Sequence, residues 1–365
     1  TTLTAADFAK FTTDDLAVLT KTQTGFLTAE QLSGLNEKTV SGLSGVLKSV
    51  PADAISGLTA KAVANLPVKL MTTAQLVALS PAQLEALTST QVASLSKAQL
   101  AGFDGTSYTD LIPSLNLTGV SAANLGTLVD NMSTAQIQKL TSAQISGLSA
   151  TQIASFTADQ AAALTPTQAP YFKSMAAFTT SGIDAIASLD PKFVGAIPAK
   201  TLAAFTTGQA QELTVEQLAQ MSSAQVASLK TASIQFVGAD ISGLAPAALA
   251  GLTSANIAGL TLSQLTDAQF AALTANQLSL LSTAQIKTDL TVDQAALLTP
   301  AQVVGLTSTQ APYLVDDRIA ALQPKTVAAI TNKAIAAFNA GATTTGEISA
   351  LTSDQTVALT SGQMK

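Results

Sequence analysis

Residues 71–103 read MTTAQLVALSPAQLEALTSTQVASLSKAQLAGF, and the rest of the chain varies this one stretch. Met71, Leu79, Leu87, Leu95 and Phe103 recur every eight residues, and the first four are followed by Thr72, Ser80, Thr88 and Ser96. Three residues beyond each hydroxyl stands Gln75, Gln83, Gln91 or Gln99, and directly after it Leu76, Leu84, Val92 or Leu100. The unit is apolar, Ser/Thr, two variable residues, Gln, apolar, two small residues.

A hydroxyl followed three places on by Gln is a capping box. The Ser/Thr oxygen accepts from the backbone N–H at the third helical position (N3), and the Gln carbonyl accepts from the N–H of the cap. The apolar residues before the cap (N′) and after the Gln (N4) are the two halves of a hydrophobic staple. Pro81, Pro166 and Pro300 each follow a cap residue, at the first helical position (N1), where a missing N–H costs nothing. Each octad therefore starts a new helix. The pattern is clearest at Leu79, Ser80, Gln83 and Leu84, at Leu87, Thr88, Gln91 and Val92, and at Leu140, Thr141, Gln144 and Ile145. These caps and staples are the expected structural site residues.

One long helix is excluded. Interior proline costs about 3 kcal/mol, and an eight-residue step would rotate the leucine stripe by about 80° per octad. A β-solenoid is excluded because apolar spacings of five and three break strand alternation, and Ala, Gln and Leu favour helix. The expected fold is all-α: a solenoid, or superhelical coil, of very short capped helices, about one per eight-residue repeat. Such helices are unstable alone and depend on caps, staples and neighbours.

The 365 residues carry a formal net charge of −6, with 11% charged, 47% hydrophobic and 4% aromatic residues. The fixed period outweighs the length prior for several domains, so a single continuous array over 1–365 is expected. Irregular joints are expected near 104–131, 173–190 and 230–240, the first of which reads as a loop, a joint between two array segments or degenerate octads. The eight-residue step shortens to five at Leu66–Met71 and Leu260–Leu265, and lengthens to nine at Leu281–Leu290. The pentapeptide TQAPY occurs at Thr167–Tyr171 and again at Thr309–Tyr313, which hints at a higher-order repeat. Tyr108, Tyr171 and Tyr313 stand at irregular places, as fillers or as a contact surface.

No run of about eighteen apolar residues occurs, so no membrane span is expected. The absence of Cys and His removes disulfides, thiolate and imidazole metal sites, and every nucleophile–histidine device. The acidic pairs Asp14-Asp15 and Asp316-Asp317 match no calcium loop and read as helix-start carboxylates. The acidic balance argues against nucleic acid. No enzymatic activity, cofactor or metal is expected. Asn116-Leu117-Thr118 and Asn131-Met132-Ser133 match the short N-glycosylation pattern.

Arrays such as Leu79–Ala86 and Leu140–Gly147 resemble the octad-repeat regions of very large bacterial surface-exposed or secreted adhesin-like proteins. That resemblance implies a stalk, fibre or coat outside the cell and carries over no functional residues. The octad cut short at Lys365 fits a piece of something longer. The expected function is structural: an extracellular or cell-surface filament, sheath or layer built by self-association, with possible cell-surface or glycan contacts. The alternative is a monomeric adhesin stalk. A solenoid leaves a hydrophobic turn open at each end, and no polar capping repeat is evident in the sequence.

Overall fold

The computed structural model describes residues 3–105, 107–175, 178, 185–229, 241–314, 317–338 and 352–358. These fall into two compact units, Thr1–Lys173 with Ala177–Leu189, and Ser174–Ala176 with Asp190–Lys365. The protein is an all-α repeat solenoid, and the described residues include no strand.

Across 71–103 the octad folds the same way each time. In Thr73–Val77, Pro81–Glu85, Ser89–Ala93 and Lys97–Ala101, the preceding Thr72, Ser80, Thr88 and Ser96 are extended caps. In the second of these helices Leu84 N–H donates to Ser80 O at 3.0 Å, and Leu87 N–H donates to Leu84 O at 3.1 Å. That last bond tightens the exit of the helix. The next cap, Thr88, at φ −71° and ψ 156°, turns the chain into the following helix. Alternation of one helical turn with one extended residue makes the corner.

The staple residues make the core. Met71, Leu76, Leu79, Leu84, Leu87, Val92, Leu95, Leu100 and Phe103 are all buried. Each buried Leu-sized side chain contributes about 2 kcal/mol, which is what a helix of four to six residues needs from its neighbours.

Departures from the period are absorbed locally. The five-residue steps are single 3-10 turns, Val68–Leu70 and Leu262–Gln264. The nine-residue step is a π turn, Gln285–Asp289, in which Leu290 N–H reaches Gln285 O at 2.9 Å. A π turn holds one residue more than an α turn, and a 3-10 turn is tighter. Each therefore changes the count without moving the apolar corners out of the core: Leu66, Met71, Leu260, Leu265, Leu281 and Leu290 are all buried.

The segment 104–131 proves to be degenerate octads. It forms Thr109–Ser114, Leu117–Gly119, Ala122–Leu125 and Gly126–Asn131, and buries Ile112, Leu115, Leu117, Val120, Leu125, Leu128 and Val129. Of the segment expected to be irregular at 173–190, residues 176, 177 and 179–184 lie outside the described residues, as does all of 230–240. The two TQAPY copies, one in each unit, adopt the same turn. Ala169–Tyr171 and Ala311–Tyr313 are 3-10 helices, and the Thr165–Thr167 and Thr307–Thr309 hydroxyl pairs both stand at 2.9 Å.

Candidate functional site

The repeating polar site is the capping box, and the structure gives it a second function. Ser80 N–H donates to Gln83 Oε1 at 2.7 Å and Thr88 N–H to Gln91 Oε1 at 2.9 Å, while Ser80 and Thr88 hydroxyls accept from the Gln83 and Gln91 N–H groups. Thr141 and Gln144 make the same pair of contacts, at 2.9 and 3.3 Å. Leu79, Leu84, Leu87, Val92, Leu140 and Ile145 are buried around these boxes.

That arrangement uses only the oxygen of the glutamine amide. The nitrogen points to the preceding turn of the coil. Gln83 Nε2 donates to Ser56 O at 3.1 Å and Leu58 O at 2.6 Å, and Gln75 Nε2 donates to Leu47 O and Val50 O, both at 2.7 Å. Gln91 reaches Leu66 O, Gln99 reaches Met71 O, Gln160 reaches Met132 O and Gln168 reaches Leu140 O. In the second unit Gln225 reaches Ile197 O, Gln269 reaches Leu244 O, Gln302 reaches Leu273 O and Gln310 reaches Leu281 O.

For each of these glutamines one acceptor is the N′ residue three octads earlier. From Leu164 the corners run back through Phe156 and Leu148 to Leu140, and from Leu306 through Leu298 and Leu290 to Leu281. The rule survives the slips. The separation between Gln168 and Leu140 is 28 residues, between Gln83 and Leu58 25, and between Gln310 and Leu281 29. Three corners are passed in every case. The coil therefore makes one turn in three octads, and the glutamines form a ladder between successive turns.

Among the described residues no backbone–backbone pair supplies that link, since such hydrogen bonds outside the helices span no more than five positions. Turn-to-turn hydrogen bonding is left to side chains, and glutamine suits it because one amide carries both an acceptor and a donor. Where glutamine is replaced at N3, other donors reach down: Arg318 Nε meets Leu290 O at 2.6 Å and Thr326 Oγ1 meets Leu298 O at 2.9 Å. Two shorter replacements do not. Asn256 closes its box with Thr253 through Oδ1, yet its buried Nδ2 has no hydrogen-bond partner, and neither has the buried Thr39 hydroxyl. Ala54 and Ala62 carry no donor at that position, and their octads are held by Ile55 and Val63, both fully buried.

The ladder escaped the sequence reading because a capping box accepts Glu or Gln equally. A signal was present: no glutamate stands at N3 of any octad among the described residues, although Glu30, Glu85 and Glu216 occur one or two places away. Glu would cap equally well and would present an oxygen to the carbonyls below.

Small residues at the eighth position complete the contact between turns. A Cβ added at Gly57 would collide with Ala29 O, and one at Gly251 with Ser223 O. Ala29 and Ser223 are first helical residues three octads back, so helix exit packs on helix entry.

Asp15 is exposed and Asp7 partly so. Asp7 and Asp15 are lowered from the ordinary carboxylate value, first because the backbone N–H of Thr4 or Thr12 donates to them and then because the hydroxyl of the same threonine does. Asp130 is raised, by partial burial and then by the charge of Asp104. No group of three or more potential metal ligands occurs among the described residues. A cavity of about 470 Å³ opens beside the irregular segment, lined in part by Glu85, Asn116, Ser133 and Lys139. Tyr108, Tyr171 and Tyr313 are exposed by 39%, 46% and 37%, so none belongs to the core.

Fold and site together define a helical octad-repeat solenoid stitched by side-chain amides. Residues 68–104, the most regular block, match the family described as the ALTTAQ repeat. No curated protein matches the chain. Among solved structures, the leucine-rich repeat-containing protein LegL7 from Legionella pneumophila is similar over 66% of this chain and 84% of its own, at 9% identity and a TM-score of 0.15. At that score the likeness carries no argument about fold or function.

Proposed function

We propose that the protein is a structural element outside the cell, a subunit of a filament, sheath or surface layer that works by length and self-association. The observation that supports this reading is the use of the repeat's polar chemistry inside the fold. The oxygens of Gln75, Gln83, Gln91 and Gln99 close caps, their nitrogens bind the preceding turn, and the neighbouring apolar residues fill the core. A unit of this kind adds reach with each octad and keeps no reactive group in reserve. The proposal assigns no enzymatic activity, cofactor or nucleic-acid partner. No described helix is long and apolar enough to cross a membrane.

The adhesin-like setting belongs to the same proposal, because long arrays of this repeat style resemble such surface proteins. The alternative, a monomeric stalk, assigns the chain reach without self-association. Electron microscopy of the purified chain across a hundredfold concentration range separates the two. Uniform fibres or sheets are the expected result, and isolated short rods at every concentration would replace the proposal with the stalk.

A further inference from the structure

The tripeptides Asn116-Leu117-Thr118 and Asn131-Met132-Ser133 share the pattern Asn-x-Ser/Thr, and the fold treats their amides differently. Asn116 caps the 3-10 turn Leu117–Gly119. That turn fills a third five-residue step, from Leu115 to Val120, of the same kind as Val68–Leu70 and Leu262–Gln264. None of these three short turns closes a capping box, so no glutamine claims the residue after the corner. In the other two that residue is Pro67 or Thr261, and only here does it carry an amide.

Asn116 uses its oxygen locally. Oδ1 accepts from Thr118 N–H at 3.3 Å and from the Thr118 hydroxyl at 2.9 Å, whereas Nδ2 has no hydrogen-bond partner among the described residues. Oxygen and nitrogen are opposite arms of one planar amide, so holding the oxygen against Thr118 turns the nitrogen away from it. Asn116 and Thr118 are exposed, and the buried Leu117 anchors the turn between them. At Asn131 the arrangement is reversed. That residue is half-buried, and its Nδ2 donates to Asp130 Oδ1 at 3.1 Å and to Asp104 Oδ1 at 3.4 Å. A group bonded to this nitrogen would displace a hydrogen held by carboxylates.

We infer that Asn116 is the acceptor of an N-linked sugar and that Asn131 is not. An amide nitrogen is a weak nucleophile, so the step needs a transferase that reads the tripeptide and a glycosyl diphosphate, the class shared by nucleotide-linked and lipid-linked donors. Asn116 Nδ2 bonds to the anomeric carbon, the bond from that carbon to the diphosphate oxygen breaks, the diphosphate leaves with the electron pair, and one amide proton passes to a base of the transferase. The fold tolerates the product. Leu117 O and Val120 O accept from Gln144 Nε2 at 2.8 and 2.7 Å, and neither bond involves the Asn116 side chain. Asn116 also stands on the wall of the cavity of about 470 Å³, where Glu85 and Lys139 offer an acceptor and a donor to the first sugar. The assignment rests on this amide geometry and not on the structural role proposed above.

Peptide mapping by mass spectrometry tests it on two preparations. The first is the chain taken from the cells that make it, where Asn116 is expected to carry a sugar and a bare Asn116 would overturn the assignment. The attached mass tells the donors apart, one hexose for a nucleotide-linked sugar and a preassembled oligosaccharide for a lipid-linked one. The second is the chain co-expressed with a cytoplasmic glucosyltransferase that reads Asn-x-Ser/Thr and uses uridine diphosphate glucose. There Asn131 should be occupied about tenfold less than Asn116, because its nitrogen must first leave its carboxylate acceptors. Equal or greater occupancy of Asn131 would overturn the distinction. In the same cells Asn116→Gln and Thr118→Ala should abolish the sugar at this turn, Thr118→Ser should keep it and Asn131→Gln should leave it unchanged, with circular dichroism showing helix content retained. Mapping reads Asn116 whether the chain forms fibres or isolated rods, so the two proposals fail separately.

Discussion

Residues 71–103 and residues 104–131 carry the same coil by different means. The first block has four glutamines, four capping boxes and α-helical turns. The second has no glutamine and is built mainly of 3-10 turns. Yet the second is read by the turn above it as fully as the first. Gln136 donates to Ile112 O and Leu115 O, Gln144 to Leu117 O and Val120 O, and Gln160 to Val129 O and Met132 O. The difference teaches that an octad has two separable duties. Its backbone must offer carbonyls at the right corner, and its N3 side chain must reach down. Residues 104–131 keep the first duty through their buried apolar corners and have given up the glutamine that performs the second.

The largest test of that separation replaces the donor in each setting. Gln83→Glu keeps the cap and turns a buried donor into a charged acceptor facing Ser56 O and Leu58 O. A loss of about 3 kcal/mol or more is expected in urea unfolding. Gln144→Glu, whose floor is the irregular segment, should lose as much. A clearly smaller loss at Gln144 would break the equivalence of the two floors.

Packing between turns comes next. Gly57→Val drives a side chain into Ala29 O, and about 1–3 kcal/mol of destabilisation is expected. Native-state hydrogen exchange should place it in the coils around Ala29 and Gly57, because nearest-neighbour turns carry the stability of a solenoid.

A gain should follow where the donor is present and too short. Asn256→Gln adds one methylene and lets the stranded nitrogen reach a carbonyl, for about 1 kcal/mol of stabilisation by thermal or urea denaturation. No gain at Asn256 would mean that reach is not what the asparagine lacks.

The smallest effect is electrostatic. The raised Asp130 costs stability while ionised, and that cost is relieved as pH falls through its raised value. Asp7 and Asp15 are depressed, so their contribution is present above the ordinary value of 3.8 and is lost as pH falls through their lowered values. Unfolding midpoints should rise slightly on mild acidification and fall at lower pH. Asp130→Asn should remove the rise, with a gain at neutral pH of a few tenths of a kcal/mol, as befits a largely solvated carboxylate.

Much of the fold was legible because its signals are local. Ser80 and Gln83 stand three residues apart, Leu79 and Leu84 five apart, and a capping box with its staple is complete within that distance. Such spacing fixes where each helix starts, which side chains it buries and why no long helix or strand forms. Even the five-residue and nine-residue steps could be counted by eye, although the 3-10 and π turns that absorb them were not visible in the residues. The irregular look of 104–131 has the same cause: its glutamine capping boxes are missing while its corners remain.

The number of octads per turn was not legible, and the ladder depends on it. Glutamine-to-carbonyl separations range from 21 residues at Gln136 to 34 at Gln209, so no fixed spacing announces the partner. Which carbonyl lies beneath a given amide depends on how sharply every intervening corner bends, a property of the packed coil and not of any one octad. The sequence by itself determined the helix starts, the buried faces and the amide at N3. Only the tertiary structure decided that three octads close a turn and that the amide nitrogen stitches it to the one before, because that contact exists only once distant corners have stacked.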